Sequence, residues 1–175
     1  AAHVALDAIA ASKVANPSSR LRHDLAHTGG VIPPDMQRMR ELDAVAEVSP
    51  AFWHLMPMLG DPPRFMWPFR SLMNRGVLVT TGSDWPVAPQ PNPFPGLQGL
   101  LEIGDESLDL VSALRTMTVN GAIANDQQGE MGSIVVGKRA NMIVLDRNLF
   151  EVPPDEIGGT VVKRTIFEGK EVYRR

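Results

Sequence analysis

Val4, Ala5, Ala8, Ile9 and Ala11 recur at helical spacing near the start of the chain, and Asn16-Pro17-Ser18-Ser19 closes that stretch as a turn, which predicts a helix over 1–14. From Arg20 to His27 the period changes to two. Leu21, His23, Leu25 and His27 share one parity and Arg22, Asp24 and Ala26 the other, so a strand is expected there, released by Gly29-Gly30. Pro33-Pro34-Asp35 reads as a helix start followed by the stripe Met36, Met39 and Leu42. Ala44 to Val48 reads as a short strand ended by Ser49-Pro50. The stretch from Ala51 to Trp67 carries Phe52, Trp53, Met56, Phe65 and Trp67 among Pro57, Pro62 and Pro63. It is too apolar for an idle surface loop and too proline-rich for a helix, and reads as a loop folded over something.

Phe69 to Arg75 fits a short helix stopped by Gly76, and Val77 to Thr81 a strand buried on both faces. Gly82-Ser83-Asp84-Trp85-Pro86 follows at once. Helical patterns return around 97–103 and 110–124 after a second proline-rich loop. From Gly129 the texture becomes short strands, expected at 134–138, 142–145, 160–167 and 170–173, with Glu168-Gly169 as a hairpin turn. The expected organisation is therefore alternating helix and parallel strand over 1–128, then a small antiparallel module over 129–175.

At 175 residues the chain holds one ordinary domain or a piece of a larger one, and it is too short for a complete eight-stranded α/β barrel of about 250 residues. Hydrophobic residues make up 43% and charged residues 21%, so a packed core is expected. With 17 Lys and Arg against 20 Asp and Glu, no basic field exists to neutralise a phosphate backbone or an anionic bilayer, which argues against nucleic acid and membrane as partners. No apolar run reaches membrane-spanning length and no secretory layout opens the chain, so a cytoplasmic location is expected. The opening without Met, directly in a helical pattern, suggests a processed or truncated product. Cysteine is absent, which excludes thiolate catalysis, disulfides and thiolate zinc sites. A metal would have to use His and carboxylate ligands, and the four histidines are His3, His23, His27 and His54.

Asp84 and His27 are the candidates for chemistry because each follows the carboxyl end of an expected strand, where parallel α/β architectures place their active sites. Asp84 reads either as an active-site carboxylate or as a turn former. His27 reads either as a metal ligand or as a core histidine hydrogen-bonded to a neighbour. His23 reads as a packed residue beneath the site, His3 as surface, and His54 as structural or supporting. Trp53 and Trp85 line a substrate pocket on one reading and merely pack loops on the other. The acidic group Glu102, Asp105, Glu106 and Asp109 reads as a solvated face, and Lys163, Arg164, Arg174 and Arg175 as the polar side of edge strands.

Several blocks occur in a telling order: Arg22-His23-Asp24-Leu25-Ala26-His27, Val48-Ser49-Pro50-Ala51-Phe52-Trp53, Thr81-Gly82-Ser83-Asp84-Trp85-Pro86-Val87, Thr118-Val119-Asn120-Gly121-Ala122, the run from Gly132-Ser133-Ile134 through Gly137-Lys138-Arg139-Ala140-Asn141 to Asp146, and Phe167-Glu168-Gly169-Lys170. Together they resemble the amidohydrolase superfamily, and within it the metal-dependent hydrolases called amidohydrolase family 3. The resemblance covers nearly the whole chain. It implies the carboxyl-terminal part of a (β/α)8 TIM barrel over 1–128, followed over 129–175 by part of a small β-sandwich. It also implies metal-activated water hydrolysing amide-like C–N bonds, other than peptide bonds, of a small organic substrate. His27 falls on the family's metal-binding histidine after the sixth strand. Asp84 falls on the aspartate after the eighth strand, a metal ligand and proton shuttle.

The implied cofactor is a divalent metal, zinc first, with one or two ions in a complete enzyme. The family's other ligands would lie upstream, so an upstream barrel segment or another copy of the chain is the expected partner. The rival expectation is a non-catalytic regulatory or interaction module that keeps the fold. Asn141 stands where the family usually has aspartate and is expected to alter a turn rather than the chemistry.

Overall fold

A computed structural model describes residues 1–51 and 66–175, with two three-stranded sheets joined through one continuous hydrophobic core. The first sheet is parallel, in the order β1 (His23–Leu25), β2 (Ala44–Val48), β3 (Leu78–Thr81). Helix α1 (Ala2–Ala15) precedes it, α2 (Pro33–Glu41) links β1 to β2, and α3 (Phe69–Asn74) leads into β3. Each link has a local cause. Pro33 and Pro34 open α2 where backbone N–H groups have no helical partner, Asp35 stands in its first turn, and Arg38 and Arg40 face the negative end of its dipole. Gly76, at φ 75°, ends α3 by donating to the Met73 carbonyl and turns the chain into β3.

Register and pleat divide this sheet into two faces. Ala44, Ala46, Val48 and Val79 are buried against Leu6, Met39, Leu72, Leu97 and Leu100 of the helices. Asp24, Val45, Glu47, Leu78 and Thr80 share the opposite face.

Beyond β3 come α4 (Phe94–Glu102), α5 (Leu110–Met117) and α6 (Val119–Ala124). The single helix expected over 110–124 is broken at Thr118, whose φ of −129° and ψ of −95° lie outside the helical range. The break sets Asn120 to donate from its side chain to the Val79 carbonyl at 2.9 Å.

The second sheet is antiparallel, β4 (Met142–Leu145), β5 (Val162–Phe167) and β6 (Lys170–Arg174). Its hairpin turns at Glu168 and Gly169, both at positive φ, as a two-residue turn requires. Leu149 and Ile157 carry the core across to this sheet, and Gly158 donates to the Gln98 side chain of α4 at 2.8 Å.

One expected strand is absent. Ile134 to Lys138 forms no strand; its apolar side chains are exposed, Val136 fully, and the segment is held by the Lys138 ammonium bonded to the Gln128 carbonyl and the Ser133 hydroxyl. The acidic group is solvent-exposed at Glu102, Asp105 and Asp109, as expected, and two of its members also fasten helices. Glu106 accepts from the Ser71 amide and hydroxyl of α3, and Asp109 caps α5 by accepting from the Ser112 amide and hydroxyl. Those Ser112 bonds hold the Asp109 carboxyl below its usual pKa.

Candidate functional site

His27 stands two residues past β1 and Asp84 three past β3, so parallel pairing through β2 brings both to the same end of the sheet. His27 Nδ1 lies 3.8 Å from Asp84 Oδ2. The histidine side chain is 49% exposed and the aspartate 35%, so neither is sealed in the core. Both residues occupy the left-handed backbone region, φ 54° and 55°, where His and Asp are enriched among non-glycine residues and which recurs at functional sites.

Neighbouring bonds support these conformations. The Thr28 amide donates to the Glu47 carbonyl at 2.7 Å and the Thr28 hydroxyl to the Leu25 carbonyl. Gly30 donates to the Met66 carbonyl, and Gly29 lies so close to it that a Cβ there would come within 2.9 Å. That approach sets the buried Trp67 ring edge-to-face with the His27 ring at 5.9 Å. Trp67 was legible only as one aromatic among several in a loop; its contact with His27 comes from the glycine pair. On the other side Ser83 does the turn work, its hydroxyl accepting from the Trp85 amide at 3.3 Å, so the Asp84 carboxylate is turned toward His27 instead of capping backbone.

Trp85 is 61% exposed beside the pair, and Trp53 and His54 lie outside the described residues. His23 is half-buried in a groove of about 450 Å³ that runs between α1 and β1 and ends at His27 and Gly29. His3, although largely exposed, bonds through Nδ1 to the buried Asp35 at 2.8 Å and ties α1 to α2. A second cavity of about 350 Å³, mostly apolar, lies behind Ser83 among Phe94, Leu114, Met117, Ile143 and Leu149.

An imidazole nitrogen and a carboxylate oxygen are the donors that zinc and similar ions take at about 2.1 Å, which places two donors on one tetrahedral ion roughly 3.4 Å apart. The 3.8 Å pair is close to that spacing and fits as two members of a ligand set. Among the described residues no group of three or more such side chains comes together.

A family model described as the amidohydrolase family matches residues 1–173. The N-substituted formamide deformylase of Arthrobacter pascens is 34% identical over 118 residues, 63% of this chain and 22% of that protein. Protein LONG AFTER FAR-RED 3 of Arabidopsis thaliana is 26% identical over 96% of this chain and 31% of its own length. An amidohydrolase from Thermotoga maritima shares the fold, with a TM-score of 0.66, 22% identity, and coverage of 97% of this chain and 41% of that one. The chain thus spans between about a fifth and a third of the curated relatives it matches. No helix among the described residues is long and apolar enough to cross a membrane.

Proposed function

Since the chain belongs to the amidohydrolase family, we propose that it contributes His27 and Asp84 to the active site of a metal-dependent hydrolase that cleaves a C–N bond of a small organic molecule. The observation that carries this reading is the 3.8 Å approach of the two side chains at one end of the parallel sheet. His27 and Asp84 would hold a divalent ion, zinc first. Such an ion, when bound, lowers the pKa of water toward neutrality and polarises the bond to be cleaved. Asp84 takes the proton of the attacking water on a carboxylate oxygen and returns it to the departing nitrogen. Trp85, exposed beside the pair, supplies an apolar wall for the organic part of the substrate. The name of the Arthrobacter relative supports N-substituted amides as the first class to try.

In this reading the parallel sheet is the last part of a (β/α)8 barrel and the antiparallel sheet part of a β-sandwich. Among the described residues, β1 pairs on one side only, with β2. An upstream segment would pair with its other edge along the α1 groove and bring further metal ligands.

The test uses the complete protein that carries this chain, supplied with zinc or manganese and a panel of N-substituted formamides. Metal-dependent hydrolysis that is lost in Asp84→Asn supports the reading. Hydrolysis untouched by that change, or none under any metal, overturns it.

A further inference from the structure

We propose that Glu47 is a substrate-binding residue, and that its carboxylate selects molecules bearing an ammonium or similarly cationic group close to the bond that is cleaved; this rests on the active-site reading above. Glu47 is the fourth residue of β2, on the face opposite the helical core, in register with Thr80 of β3. Its side chain does not stay level with Thr80. A Cβ built on Gly82 would collide with Glu47 Oε1, so the carboxylate reaches two residues along the neighbouring strand toward the end where Asp84 stands. Gly82, without a side chain, is what leaves room for it.

A half-buried carboxylate ordinarily has a partner, because withdrawing the charge from water is otherwise costly. Glu47 makes no side-chain hydrogen bond or ion pair among the described residues, although its backbone carbonyl holds Thr28. Among the described strand residues, the face it shares carries Asp24, Val45, Leu78 and Thr80, a second acid and no cation. The nearest arginine of that parity, Arg22, is held at the other end by Asp43 at 2.9 Å and by the Ile123 carbonyl of α6. Val45, the preceding residue of β2 on that face, is fully buried, so the carboxylate stands next to apolar surface on one side and against Gly82 on the other. A cation placed there would gain a charge-assisted hydrogen bond while its reactive end lies at His27 and Asp84.

The probes are N-(2-aminoethyl)formamide and N-propylformamide, nearly equal in shape and different in charge. Dissociation constants are measured by NMR titration with the complete protein in an Asp84→Asn background, so that neither probe is consumed. Turnover of both is followed separately with Asp84 intact. The expected result is binding of the cationic probe at least tenfold tighter than the neutral one, with the preference abolished by Glu47→Gln and weakened by the shorter Glu47→Asp. Equal affinities, no binding of the cationic probe, or a preference that survives Glu47→Gln each overturn the proposal. A charge preference without turnover of either probe would sink the hydrolase reading and leave the role of Glu47 standing.

Discussion

The side-chain oxygen of Asn141 accepts the backbone N–H of Glu168 at 2.8 Å, so the residue just before β4 fastens the turn between β5 and β6. The Gly169 amide adds a bond to the Ala140 carbonyl, and the left-handed pair Glu168 and Gly169 is held from outside its own hairpin. Aspartate presents the same acceptor. Asn141→Asp should therefore leave the thermal midpoint nearly unchanged, whereas Asn141→Ala should cost about 1 kcal/mol. Calorimetry on the two variants separates a turn-fastening role from any other.

Asp109→Ala removes the acceptor of the Ser112 amide at the start of α5 and should destabilise by about 1 kcal/mol, with Asp109→Ser recovering most of the loss. Chemical denaturation of the three proteins is the measurement. Equal midpoints would mean that α5 does not depend on its cap.

The Asp146 carboxyl is held down from its ordinary 3.8 to about 2, first by the Arg147 guanidinium and next by the Val161 amide. Because the folded group titrates below the unfolded one, its contribution to stability is complete above about pH 4 and disappears as pH falls through about 2. The carboxyl carbon of Asp146, followed by NMR, should titrate near 2. Asp146→Asn should weaken the β4–β5 junction at neutral pH and match the parent at the acid extreme.

Gly132 sits at φ 88°, and a Cβ there would fall 2.7 Å from the Ala122 Cβ and 3.0 Å from the Val119 Cα of α6. Neither neighbour is a flexible side-chain end. Gly132→Ala should lower stability by roughly 1–3 kcal/mol, whereas Gly129→Ala, with open space around it, should be close to neutral; parallel thermal melts would show the difference.

Strands β2 and β3 were legible because buried parallel strands are runs of apolar and β-branched residues, and nothing else competes for such runs. The same logic misleads at Ile134-Val135-Val136. Its composition is that of a strand, but a strand exists only with a ladder, and no described segment offers one. The convergence of His27 and Asp84 was legible because both follow strands that had to run parallel. Glu47 was not. An acid inside an alternating pattern reads as solvent-facing, and only pairing on both sides of β2, with Gly82 beside it, shows where the carboxylate goes. Trp67 was hidden likewise, since its approach to His27 depends on the chain's return across Gly29 and Gly30.

The left-handed backbone at His27 and Asp84 decides which replacements make fair controls in enzymology. Alanine at either site would remove the functional group and also force an ordinary side chain to keep a conformation it resists, by roughly 1–2 kcal/mol. A lost activity could then be blamed on local relaxation of the main chain. Glycine accepts that conformation freely, and asparagine accepts it at least as well as aspartate. His27→Gly and Asp84→Asn are thus the variants that subtract chemistry while leaving the path of the chain alone. Valine, isoleucine or threonine at these two positions would confuse a damaged loop with a missing ligand.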